Sequence, residues 1–186
     1  MVSEFRIKRD PAKLLGSAVA RSTQTLGGRN MTVRPYSESD LEAVVVVFTS
    51  SVHVLGASEY SDAQRKAWAP QPPDLSYWRK RLRSLQTFVA TDAAAVIGFL
   101  SYEPNGHIEF LYVAPQYARR GVASMLCARA ETVLASSRVA ELFTEASLVA
   151  RPFFERVGFS VHRAREVSFG GASFTRYAMR KRLSAA

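Results

Sequence analysis

The chain has 186 residues, 47% of them hydrophobic and 22% charged, which suits one compact domain with a sizeable core. Its longest uninterrupted apolar run, 43–48, is far short of the roughly 20 residues a bilayer-spanning helix needs, so no membrane span is expected. A net charge of +9 suits an anionic partner, but Lys and Arg are scattered, with local groups at 79–83 and 176–182, and form no basic stripe interleaved with aromatics, so nucleic acid is not expected.

Residues 1–30 read as a basic, flexible extension: Arg6, Lys8, Arg9, Lys13, Arg21 and Arg29 stand among Ser, Thr and Gly, and Gly27-Gly28 interrupts what periodicity there is. Glu4, Asp10 and the lack of a long apolar stretch argue against a targeting segment. The domain then occupies 31–186, and Met31 is open as the start of translation. Alternation from Met31 to Tyr36 predicts a first strand. Ser37 and Asp40 are spaced as in a capping box and predict a helix from about Ser39, although the run Val44 to Val47 has strand propensity. Helical patterns follow at 61–69, stopped by Pro70, and at 74–85. Strands are predicted at 87–91, 95–103 and His107–Val113 as an antiparallel meander. Val122, Met125, Leu126, Ala130, Val133 and Leu134 have the spacing of a helix laid on a sheet. Cys127, alone in the sequence and set in that apolar pattern, excludes an intrachain disulfide and reads as a core thiol, with the cytoplasm as the expected compartment. The remaining expectations are a strand at 139–144, a helix at 148–157 closed by Gly158, and a hairpin of 159–169 with 172–180.

The junction between His107–Val113 and the following helix carries the chemistry. A strand ends at Pro115, a helix begins around Gly121, and Arg119-Arg120 stand between them. The first amides of a helix have no intrahelical partners and face outward with the positive end of the dipole, so this junction suits a diphosphate, with Gly121 allowing close approach and Ala123 keeping the next turn clear. Here the sequence resembles the GCN5-related N-acetyltransferase superfamily, whose cofactor motif runs Gln/Arg-x-x-Gly-x-Gly/Ala. Gly121 and Ala123 fit its second half, and Ala118 stands where Gln or Arg is usual. The segment 147–159, ending Gly158-Phe159, resembles the superfamily's last helix, and 53–69 resembles one bacterial branch of small members.

The resemblance extends over 31–183. It implies an α/β fold with a mixed, mostly antiparallel central sheet flanked by helices and splayed between its fourth strand, His107–Val113, and its fifth. It implies acetyl-CoA as co-substrate, no metal, and transfer of the acetyl group to a primary amine. Implied cofactor contacts are Leu111, Val113, Arg119, Arg120, Gly121, Val122, Ala123, Ser124 and Phe154, with a backbone amide near Val113 meeting the thioester carbonyl.

Acyl transfer to an amine needs a neutral nucleophile, stabilisation of a developing oxyanion and, in many cases, a proton for the departing thiolate. Glu109 is the first candidate base, placed by strict alternation on the face of Leu111 and Val113, and Glu145 is the second. His53 and His107 read as surface or structural imidazoles. The superfamily's usual helix tyrosine aligns with Phe154, which donates no proton, so either Tyr112, Tyr177 or Tyr60 serves as the acid or the thiolate leaves unaided. The substrate wall is expected between His53 and Trp78, with His53, Tyr60 and Trp68 as contacts and Tyr77 and Trp78 as further aromatic surface. A small-molecule amine is the expected partner, with no nucleic acid and no membrane. A protein amino group and a non-catalytic acyl-CoA-binding module are the alternatives, and a homodimer is left open.

Overall fold

The strands run along the chain as β1 (Ser22–Leu26), β2 (Arg29–Pro35), β3 (Gln86–Asp92), β4 (Ala95–Tyr102), β5 (His107–Val113), β6 (Glu141–Ala146), β7 (Ser160–Phe169) and β8 (Ala172–Arg182) in this computed structural model, which describes residues 22–26 and 29–183. They join in one sheet of order β1-β2-β3-β4-β5-β6-β8-β7. β1, paired antiparallel with β2, falls within the stretch read as an extension, and residues 1–21 lie outside those described. Every neighbouring pair is antiparallel except β5 and β6, which run parallel and pair only at His107↔Phe143 and Ile108↔Thr144. Past that point the two strands diverge. Thr144 Oγ1 donates to Ile108 O at 2.9 Å and closes the apex of the wedge. This is the predicted splay, between the fifth and sixth strands once β1 is counted.

Helices cover both faces. α1 (Leu41–Ser50) and α3 (Leu75–Arg83) press Val44, Val45, Phe48, Trp78 and Leu82 onto Val89 and Phe99, and α4 (Val122–Ser136) sets Val122, Leu126, Ala130 and Leu134 on Phe88, Ala90, Ile97 and Leu100. Consecutive residues of β3 alternate between the two clusters, as a pleated strand covered on both sides requires. Each such fully buried Leu or Phe contributes about 1.5–3 kcal/mol of transfer free energy. The remaining helices, α2 (Asp62–Trp68) and α5 (Arg151–Arg156), are short.

The β-branched run 44–47 is helical. Its start is fixed by Asp40, whose carboxylate accepts the Ser37 N–H at 2.8 Å, and Val44, Val45 and Val47 are drawn into the core. The helix continues through a π turn, Ser51–Leu55, and a 3-10 turn, Gly56–Ser58. Counted from Glu38 to Ser58 this stretch has 21 residues and contains an 18-residue window of mean hydropathy 1.6, enough by length and composition to cross a bilayer, which the uninterrupted apolar run alone had not shown. Leu41, Val44, Val45, Val47, Phe48 and Val52 are nevertheless buried within the domain, so it is a core helix. Two predicted boundaries shift. β6 starts at Glu141 rather than 139 because α4 ends with Arg138 at φ 61 and Val139 N–H bonded back to Leu134 O at 3.0 Å. α5 spans only Arg151–Arg156, because the Ser147 hydroxyl takes the Ala150 N–H at 3.1 Å in a turn that precedes it.

Candidate active site

α4 starts close to where β5 ends. Ala114 N–H bonds Ile97 O at 2.9 Å, a 3-10 turn follows at Pro115–Tyr117, and the backbone then takes left-handed values at Arg119, φ 60, and Gly121, φ 81. Met125 N–H to Gly121 O, at 3.0 Å, is the first bond of α4, so the amides of Val122, Ala123 and Ser124 face forward with no preceding turn to accept them. They sit at the positive end of a 15-residue helix. Gly98 lets the helix seat tightly: a Cβ there would lie 2.9 Å from Val122 Cγ1 and 3.1 Å from Tyr112 O. Arg119 and Arg120 are exposed beside this end. Ala118 adds no polar side chain, so the anion-binding capacity here belongs to the backbone and the two guanidinium groups.

The wedge has its own free amides. Since Ala114 turns its N–H to β4, alternation turns those of Leu111 and Val113 to the opposite edge, where β6 has already diverged. Their side chains pack on the α4 cluster, whereas Phe110 and Tyr112 pack on the cluster of α1 and α3.

Glu109 departs from the expected face. The register steps from Ser101↔Phe110 to Tyr102↔Ile108, which leaves Glu109 as the extra residue of a β-bulge. Its carboxylate therefore reaches the α3 side, where Arg81 Nη2 holds it at 2.5 Å, and it is not with Leu111 and Val113. The bond to Glu109 raises the Arg81 pKa, and the guanidinium lies 5.8 Å above the Phe110 ring. His107 Nδ1 lies 3.6 Å from Glu109, and its ring stacks on Phe143 at 4.9 Å, at the apex of the wedge. Across the wedge, Glu145 alternates with the buried Thr144 and Ala146 and shares the face of Phe143; it is exposed and accepts from Arg165 Nε at 3.1 Å.

On the same face opens a cavity of about 380 Å³ walled by Phe48, Trp68, Tyr77, Trp78, Phe110, Tyr112 and Phe169. Trp68, Tyr77, Trp78 and Tyr112, four of the residues singled out in the sequence, meet in it. Burial pushes the Tyr112 phenol up to about 12, against the opposing pull of Arg176 and of the Trp68 indole N–H. The Arg176 guanidinium lies 4.1 Å over the Trp68 ring.

The other candidates stand elsewhere. His53 Nε2 is 2.8 Å from Ala69 O and tethers the end of α2. Tyr60, 3% exposed, stacks edge-on to Trp68 at 5.2 Å and accepts the Leu148 N–H at 3.0 Å, so it braces the pocket from behind. Phe154, 3% exposed, is a core residue between Phe153 and Phe159. Sequence reasoning missed Phe110 and Phe169, and it placed Arg81 and Arg176 only as members of the local basic groups at 79–83 and 176–182. The one available signal for Phe110 was its position next to Glu109 on a strand already assigned to the site.

A sheet opened between two parallel strands, with a free helix N-terminus on one side and an apolar pocket on the other, has the architecture of an acyltransferase. The acetyltransferase (GNAT) domain family matches residues 56–181, and the chain belongs to this superfamily and is an N-acetyltransferase. YafP of Escherichia coli strain K12, described as an uncharacterized N-acetyltransferase, is 36% identical over 151 residues, or 81% of this chain and 95% of that protein. A GCN5-related N-acetyltransferase from Rhodopseudomonas palustris is 30% identical, with a TM-score of 0.79 over 87% of this chain and 98% of its own. The PaiA N-acetyltransferase of Thermoplasma acidophilum, solved in complex with coenzyme A, shares the fold with a TM-score of 0.66 at 20% identity, over 82% of this chain and 98% of that one.

Proposed function

We propose that the protein moves the acetyl group of acetyl-CoA to the primary amine of a small molecule by direct attack in a ternary complex. The observation that carries this reading is the wedge between β5 and β6: the free amides of Leu111 and Val113 face it, and the start of α4 and the aromatic pocket lie on either side. The amides of Val122, Ala123 and Ser124, with the two guanidinium groups, suit the diphosphate of the co-substrate, whereas the Arg120 N–H is already given to Tyr117 O at 3.3 Å. The thioester supplies the activated acetyl group. Amides at Leu111 and Val113 are placed to stabilise negative charge on a carbonyl oxygen in the wedge, where fixed dipoles count for more than in water.

In the transfer, the amine nitrogen bonds to the acetyl carbon, the carbon–sulfur bond breaks, the amine gives up a proton and the departing thiolate takes one. Glu109, reached through water from the wedge and oriented by Arg81, is the proposed acceptor of the amine proton, with Glu145 the second carboxylate on that face. Tyr112 stays neutral until about pH 12 and its oxygen is engaged by Trp68, so it serves as pocket wall, and the thiolate takes its proton from solvent. The test is thiol release from acetyl-CoA over panels of small primary amines and of peptides, with mass spectrometry of the products. N-acetylated small amines are expected. Acetylation confined to peptides, or CoA binding without transfer to either panel, overturns the reading.

A further inference from the structure

The carboxylates beside the pocket and the wedge each have a partner. Glu109 is answered by Arg81 and Glu145 by Arg165. Asp74, the carboxylate of the pocket lining, accepts the N–H groups of Ser76 at 2.9 Å and Tyr77 at 3.0 Å, so its charge is spent on the start of α3. Arg176 is left over. It projects from β8 on the face of Phe174, is half-buried, and lies over Trp68 at 4.1 Å and near Phe174 at 5.7 Å; among the described residues it pairs with no carboxylate.

A guanidinium so placed keeps its donors for a partner brought from outside, because stacking on an indole occupies its flat face and leaves the N–H edge free. Trp68 joins it to the cavity, and the charge of Arg176 is felt at the Tyr112 hydroxyl, which belongs to the pocket wall. Tyr112 in turn sits between Leu111 and Val113, whose amides face the wedge. Three demands on one acceptor follow from this placement. It carries an apolar group for the aromatic wall, an anion for Arg176, and an amine within one residue of the wedge.

We infer that the acceptor is an α-amino acid with an aryl or branched alkyl side chain: the side chain fills the aromatic pocket, the carboxylate pairs with Arg176, and the α-amine points into the wedge. The inference rests on the acetyltransferase reading and narrows its substrate class. A planar carboxylate matches the guanidinium fork, and such a charge-assisted pair is what separates an amino acid from the amine that lacks the carboxylate.

The test measures kcat/KM for L-phenylalanine against 2-phenylethylamine, and for L-leucine against 3-methylbutylamine, by thiol release from acetyl-CoA. In the wild-type protein each amino acid is expected to exceed its amine by about 10- to 100-fold, the range of one hydrogen-bonded charge. In Arg176→Gln the ratio is expected to fall to near one, and in Arg176→Lys, which keeps the charge without the fork, to an intermediate value, with CoA binding by calorimetry confirming that both variants are folded. A wild-type ratio near one, or an unchanged ratio in Arg176→Gln, overturns the amino-acid assignment while leaving the acetyltransferase reading in place. Absence of transfer to any small amine overturns both.

Discussion

Gly121 does two things at a single position. Its φ of 81 belongs to a region that L side chains enter at a cost of roughly 1–2 kcal/mol, and its lack of a side chain leaves the forward-facing amides of α4 open. Gly121→Glu adds strain, bulk and a negative charge where a diphosphate is expected. Calorimetry should show CoA affinity lowered by at least about 100-fold, and Gly121→Ala, which brings the strain without the charge, should lose less. Retained affinity in the Glu variant would exclude the site. Glu109 poses a different question, because its amide analogue can still accept from Arg81 but takes no proton. For Glu109→Gln, kcat is expected to fall about 100-fold with CoA affinity retained. A drop confined to KM would make the Glu109–Arg81 pair a positioning device.

At the scale of elements, α1 depends on how its first turn is held. Asp40 is 6% exposed, and burial by itself pushes its carboxyl pKa up; the two bonds from Arg34, each 2.7 Å, and the Ser37 amide outweigh that and hold it below the ordinary value. A depressed folded-state pKa gives stabilisation that is complete above the unfolded value near pH 4 and lost as pH falls through the folded one. Asp40→Asn should therefore cost about 3 kcal/mol in urea unfolding at neutral pH, with the gap to wild type closing below about pH 4. An equal gap at pH 3 and pH 7 would rule the charge out. Such local devices are visible in a sequence: the Ser37/Asp40 spacing, the apolar spacing of α4 and Gly121 all work within a few residues. The bulge at Glu109 is set by register between β4 and β5, and the contacts of Arg81 with Glu109 and of Arg176 with Trp68 join residues that only the sheet order brings together. Strict alternation put Glu109 on the wrong face for that reason. The run Val44 to Val47 shows the opposite case, a strand preference overruled by a fixed helix start and a core to bury in.

The whole molecule is two half-sheets that meet at the apex of the wedge, where β5 and β6 pair only at His107↔Phe143 and Ile108↔Thr144 before parting. Elsewhere each strand is zipped to its neighbour along most of its length, so the junction is where bound ligand has most to add. A co-substrate that lies in the wedge and touches the amides of β5 and α4 binds the folded state alone. At 100 times its Kd it stabilises that state by about 2.7 kcal/mol, which for a chain of this size corresponds to a rise of roughly 5–10 °C in Tm. Differential scanning calorimetry with and without CoA measures the shift, and hydrogen exchange locates it, with added protection expected in β5 and the first turn of α4 more than in β1, β2 or the β7–β8 turn. The same ligand should leave the Tm of Gly121→Glu where it was. A wild-type Tm that does not move at CoA concentrations far above the expected Kd would show that CoA does not bind the folded protein, and a shift in both proteins would detach its binding from the start of α4.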